Sequence, residues 1–470
     1  MVKQRRGKPL CPPWRALRTA GALAAPLALL ACAPITPYER PAFPAATAWP
    51  DPKLAAGSKT PKPGEWRSFF TDPRLQGLIE AALEHNRDLR IALGRVDEAR
   101  AMYALARADR FPNLSLSGGE SVTVTPSGVF SAGRSFNATL TTVSYEVDFW
   151  GRVASMSEAA RASFLASAEA GRALRLSLIA EVADLYFNQL EVEARIAYVR
   201  AALNSRRLSR DLIGRIREVG AASRLELLQA ETALETTQSE LASLERQQAN
   251  LVNTLTLLVG QMPATLPPAK PLEEQEVDNS LAVGLPSDTL LARPDVAAAE
   301  QRLIAANANI DAARAAFFPK ILLTVGLGLA SPALATLFNS ANSAWNYQPT
   351  ISLPIFDGGR TKAGEDLSIA RKNIAVAEYE KSIQQAFREV ADLLAARKTL
   401  AVQRKSAEAN LLASLERIKI AQIRFEAGMG GPLEILDAQR EALTAQQAAL
   451  QIQRAQLSTA TQLYKAIGGG

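Results

Sequence analysis

Two carboxylates near the C-terminus, Glu434 and Asp437, are spaced i,i+3 and share one face of any helix that contains them. Glu226 and Gln229 repeat that spacing 208 residues earlier. Carboxylates so spaced could act together on a charged species, yet spacing alone reads as solvated surface charge. Partners for harder chemistry are missing. The single histidine, His85, sits on a polar helix start, and one histidine with one mature cysteine cannot assemble a zinc set. No phosphate-cradling glycine loop or nucleophile elbow occurs, and five methionines, one of them the start, form no soft-metal cluster. The sequence predicts neither an enzyme nor a resident cofactor or metal.

One residue does invite covalent chemistry. Cys32 directly follows Leu29-Leu30-Ala31, at the end of a basic start and the apolar run TAGALAAPLALLA, Thr19–Ala31. That run is too short and too proline-broken to span a bilayer, and suits a signal peptide. The pattern resembles a bacterial lipobox, which predicts cleavage after residue 31 and N-acyl and S-diacylglycerol groups on Cys32. Ala33, where lipoproteins kept at the inner membrane carry Asp, fits export to the outer membrane. Cys11 leaves with the leader, so no disulfide within the mature chain is expected. The net charge of +6 leaves with it, because residues 1–31 hold six basic side chains and no acid. The mature chain is near neutral, and nucleic-acid binding is not expected. Residues 32–64 are proline-rich and read as an extended tether.

The remainder is one unit used twice. Asp88 aligns with Asp295, and Phe111-Pro112 with Phe318-Pro319, at an offset of 207. Gly151-Arg152 aligns with Gly359-Arg360, Gly220 with Gly428, Leu225-Glu226 with Leu433-Glu434, and Val259-Gly260 with Ile467-Gly468, at 208. The first repeat is placed at 65–262: a helix, strands over 113–125 and 135–148, a long helix over 151–219 and a helix over 221–259. A linker follows at 263–286. The second repeat, 287–470, has a helix, strands over 320–330 and 345–356, a long helix over 360–427 and a helix over 431–466. A helix as long as 360–427 reaches on the order of 100 Å. Leu178, Val182, Leu185, Gln189, Val192, Ile196, Val199 and Leu203 form a four-three seam for helix packing, and Ile383, Phe387, Val390 and Leu394 repeat it.

The strands pose a physical problem. Ile321, Leu323, Val325, Leu327 and Leu329 alternate with small or hydroxylated residues, and Trp345, Tyr347, Ile351, Leu353 and Ile355 share one face of the last strand. Four strands cannot close a barrel, since the smallest membrane barrels need about eight. Open edges in lipid would cost several kcal/mol per unpaired backbone group. Closure between chains solves this: three copies supply twelve strands, with the apolar face toward lipid and the small polar face toward a lumen.

In its lipobox, its duplication, both Phe-Pro strand starts and the tip segments EVGAASRLELLQAE and EAGMGGPLEILDAQR, the chain resembles the TolC-type outer-membrane channels, in the lipidated OprM/NodT-like branch. The resemblance covers residues 32–468. It implies a mainly α fold with a membrane β-barrel portion, in which a homotrimer closes a twelve-stranded barrel above a periplasmic tunnel of duplicated helical hairpins. It also implies a passive efflux conduit that docks through a periplasmic adaptor onto an inner-membrane RND-type transporter. The implied adaptor-contact tip comprises Val219, Gly220, Ala221 and Ser223, with Ala427, Gly428 and Gly430. The implied gate is an acidic ring of Glu434 and Asp437, with Glu226 and Gln229 as first-repeat counterparts. The family's best-known latch uses a tyrosine and an arginine at positions occupied here by Phe425 and Gly430, so it does not carry over, and Arg224 and Arg424 both stand near enough to replace it. Two other readings stay open: a type I protein-secretion channel, and a periplasmic coiled-coil structural lipoprotein that forms no channel.

Overall fold

The structure, a computed structural model, describes residues 37–50, 66–123, 133–277, 283 and 286–469. The expected leader, Cys32 and most of the tether lie outside the described residues. So does most of the expected loop Pro126–Arg134. The described helices are α1 (Trp66–Phe69), α2 (Pro73–His85), α3 (Arg87–Ala108), α4 (Arg152–Glu218), α5 (Arg224–Val259), α6 (Pro286–Leu291), α7 (Pro294–Ala315), α8 (Arg360–Glu426) and α9 (Pro432–Ala466). The strands are β1 (Ser115–Thr123), β2 (Gly133–Glu146), β3 (Lys320–Ser331) and β4 (Ser343–Ser352). The described residues divide into two compact units, one built from 37–41, 99–123, 133–164 and 301–376 and the other from 42–50, 66–98, 165–277, 283, 286–300 and 377–469.

The first unit carries a four-stranded antiparallel sheet in the order β1-β2-β3-β4. A bulge between Thr142 and Tyr145 of β2 shifts its register against β3. Pro349 of β4 pairs with Leu323 of β3, and β4 has no further partner strand among the described residues. An edge strand tolerates proline because the missing N–H is turned off the ladder. The strand expected over 345–356 stops at Ser352, so Leu353 and Ile355 lie past its end. The reason is local: Ser352 pairs with Lys320, the first residue of β3, and Pro319 and Pro354 interrupt both chains just beyond. Side chains fasten the helices that follow the strands. Asp148 accepts hydrogen bonds from the Val153 and Ala154 N–H groups at the start of α4, and Asp357 accepts from Gly359 and Thr361 at the start of α8. Trp150 stacks on Phe318 with ring centroids 4.6 Å apart and donates its indole N–H to the Pro319 carbonyl at 2.8 Å.

The second unit is helical. Val192, Ile196 and Val199 of α4 are buried against Leu244 of α5 and Leu443 of α9. Ile383, Val390 and Leu394 are buried on α8, and Trp49, on a described piece of the tether, stacks on Phe387 at 5.0 Å. Each buried aliphatic side chain is worth about 1.5–3 kcal/mol, against about 0–1 for an exposed ion pair. The seam, not the surface charge, holds these helices. The buried Asp72 is fully engaged: it caps α2 through the Arg74 N–H and accepts from Tyr186 and Gln275, each at 2.7 Å. Burial pushes the Tyr186 hydroxyl pKa up, reinforced by Asp72. The repeats tie their ends alike. Asn86 donates to the Leu258 carbonyl at 2.7 Å, and its counterpart Arg293 donates to the Ala466 carbonyl at 2.8 Å. Arg293 also holds Asp295 and Glu389. Burial would raise the Asp295 carboxyl, but the Arg293 hydrogen bond and charge outweigh it and hold it below the usual carboxylate range.

Candidate functional site: a bare apolar sheet face and two hairpin tips

The sheet register lines up side chains in rows. Leu116, Leu140, Leu327 and Trp345 lie side by side across all four strands, and they are 80, 46, 63 and 75% exposed. Nothing among the described residues covers this row. Tyr347 joins the same face beside Val325, and Ile351 beside Ile321. Leu323 and Leu329 follow by alternation on β3. The opposite rows are small and polar: Ser117, Thr139, Gly328 and Ala344, then Ser115, Thr141, Gly326 and Asn346. That face is crowded. A Cβ on Gly328 would run into the Ala138 carbonyl oxygen and Thr139 Cα, so glycine is required by close approach of the neighbouring strand. Exposed aromatics gather at both strand ends, with Phe338 and Trp345 at one and Phe111, Phe149, Phe317 and Phe356 at the other. The 12 residues of β3 span about 40 Å, or about 28 Å across a bilayer at a 45° tilt. No helix among the described residues is long and apolar enough to cross a membrane. The lipid-compatible surface lies on the sheet.

In the second unit each helical hairpin turns at a glycine in the left-handed region, Gly220 with φ 78° and Gly428 with φ 70°. At the first tip the Gly220 N–H donates to the Arg217 carbonyl and the Ala221 N–H to the Ile216 carbonyl. Val219, Ala221 and Ser223 are exposed. Ser223 caps α5, so the helix expected from residue 221 starts at Arg224. The Ser223 hydroxyl oxygen accepts from the Glu226 N–H at 3.2 Å, and Glu226 accepts from the Ser223 N–H at 2.6 Å, a complete capping box. The Ser223 backbone N–H, then its hydroxyl, hold the Glu226 carboxyl below its ordinary range. Gln229 is half-buried one turn on.

The second tip closes differently. Ala427 and Gly428 are exposed, and the Met429 N–H donates to the Arg424 carbonyl at 2.8 Å. The cap position of α9 is Gly431, which offers no side chain. Glu434 reaches back across the hairpin to Arg424, Oε1 to Nε 3.2 Å. Arg424 Nη2 also donates to the Met429 carbonyl at 3.2 Å. Asp437 pairs with Arg440 of its own helix at 3.2 Å. The structure therefore gives each of the four expected gate residues a different setting: Glu226 serves its own helix start, Glu434 bridges the hairpin, Asp437 pairs along α9, and Gln229 is neutral.

Comparison with known proteins decides the family. The family described as "Outer membrane efflux protein" matches residues 78–261 and again 285–469, once per repeat. The chain belongs to the outer membrane efflux protein family. It is 42% identical over 451 residues to the probable efflux pump outer membrane protein TtgC of Pseudomonas putida, covering 93% of each chain. It is 39% identical to the outer membrane protein OprJ of Pseudomonas aeruginosa, covering 96% of this chain and 95% of that one. Among solved structures, the open state of the MtrE outer membrane channel of Neisseria gonorrhoeae superimposes with a TM-score of 0.85 at 36% identity, over 93% of this chain and 98% of that one. As an efflux protein of this family, the chain is placed in the outer membrane, and its mainly helical fold with a four-stranded sheet is that of a transport channel.

In this efflux protein the sequence singles out Arg424 and Glu434 separately but does not pair them, because they lie ten positions apart across a turn, which no helical spacing reveals. The Glu226 arrangement did leave a signal: Ser223-x-x-Glu226 is the capping-box pattern itself.

Proposed function

We propose that this efflux protein is the outer-membrane conduit of a tripartite pump and works as a homotrimer. Twelve strands then close a barrel, and the paired helices carry the passage into the periplasm. The observation that carries this reading is the exposed row Leu116, Leu140, Leu327 and Trp345 on a sheet whose β1 and β4 edges have no partner strand among the described residues. A free chain would expose that surface to water and unpaired strand groups to lipid; sister chains remove both costs. The faces then sort themselves, with Ser117, Thr139 and Thr141 lining water and the leucines meeting acyl chains. The trimer does no chemistry. An inner-membrane transporter of RND type supplies energy, and a periplasmic adaptor meets the tips at Val219, Gly220, Ala221 and Ser223 and at Ala427, Gly428 and Gly430. The inner end is gated where Glu434 and Asp437, with Glu226 and Gln229, approach their copies in the sister chains. A diacylglycerol on Cys32, with an N-acyl chain, anchors the N-terminus. Deleting the gene in a cell with a working partner pump should sensitise it to toxic compounds, restored by the full chain but not by a Cys32→Ser variant in full measure. Unchanged sensitivity with the pump shown to be active contradicts the conduit reading.

A further inference from the structure

The offset of 208 lays one tip on the other: Ile216 on Arg424, Gly220 on Gly428, Ala222 on Gly430, Ser223 on Gly431 and Glu226 on Glu434. The glutamate is common to both tips, while three residues around it differ. Those three differences are coupled in space. At the first tip Ser223 supplies the cap and Glu226 folds onto it. At the second tip Gly431 supplies no cap, Arg424 stands where Ile216 stood, and Glu434 turns to Arg424. Gly430 completes the set. A Cβ there would sit 2.8 Å from Glu434 Oε2 and 3.4 Å from Arg424 Cβ. Gly430 is not among the glycines with positive φ, so it provides clearance and not a special backbone conformation.

We propose that Arg424 is the positioning residue of the second tip: it clamps the hairpin over Gly430 by holding Glu434 and the Met429 carbonyl, and it cancels the Glu434 charge where the channel narrows. Asp437 is paired with Arg440, so in the resting tip neither acid presents a bare charge. A side chain at 430 would meet the flexible end of Glu434, so it would displace the carboxylate from the position it takes beside Arg424. Its effect on conduction rests on the gate reading above; its existence does not.

Hydrogen–deuterium exchange on the full-length protein in detergent tests it, with the first tip as internal control. R424Q, E434Q and G430A should each speed exchange of amides in 427–433 by about two- to fivefold, the scale of an exposed ion pair and one hydrogen bond. Amides in 217–224 should not change, and the swap R424E with E434R should restore protection. G430A decides most sharply, because it alters no charge. Wild-type exchange rates in both R424Q and G430A overturn the clamp. In planar bilayers R424Q should raise cation preference about twofold by freeing Glu434. Faster exchange with unaltered selectivity, in a channel that conducts, keeps the clamp and overturns its place at the constriction. Loss of conduction in the wild type strikes the gate reading alone.

Discussion

The two hairpin tips descend from one repeated unit and carry the same glutamate, yet they use it in unlike ways. Glu226 is spent on the backbone of its own helix start, within three residues of itself. Glu434 is spent on a side chain from the other arm of its hairpin. The first arrangement is local and persists wherever α5 persists. The second joins two helices, so it breaks whenever those arms separate. Side-chain exposures of 48% for Arg424 and 40% for Glu434 leave the pair open to water and salt. A short-range cap therefore makes a fixed tip, and a cross-arm ion pair makes a releasable one.

The largest effect should come from converting one tip into the other. Giving the first tip I216R, A222G and S223G together removes its cap and supplies the clamp, so its amide exchange should become salt-dependent as that of the second tip is. A converted tip that stays indifferent to salt would mean the three differences do not act as a set. Next, S223A alone should cost about 1 kcal/mol at the start of α5. Faster exchange confined to 221–226, with 427–433 untouched, is the expected pattern. Raising salt from 0.05 to about 1 M shrinks the Debye length to about 3 Å. It should loosen the wild-type second tip by about twofold and leave the first unchanged. The smallest effect concerns pH. The folded-state pKa of Glu226 lies below its unfolded value, so its contribution is present above the unfolded value near 4.3 and is lost only as pH falls through the lower folded value. Carboxylate titration followed by NMR should find Glu226 still ionised where an ordinary glutamate is half protonated. A titration at the ordinary position would remove the capping-box account of the first tip.

The fold was legible wherever one period dominated. The seam through Val182, Val192 and Val199 announced α4 because a buried face recurs every three or four residues, and all three are buried. The alternation from Ile321 to Leu329 announced β3 because side chains flip at each step. Strand ends were less legible, as Leu353 and Ile355 show. Apolar alternation ran on, but the ladder stopped where Lys320 gave it no further partner. The tips were least legible. Arg424 and Glu434 meet only because Gly428 reverses the chain between them, and the clearance at Gly430 exists in three dimensions alone.

Among the described residues the sheet has one apolar face bare and no partner strand at either edge, and the proposed trimer rests on that. Mass measurement and single-particle imaging of the protein extracted from outer membranes test this most directly. Particles with threefold symmetry and a closed ring of strands are predicted. A folded, monodisperse single chain in the same micelles would contradict it.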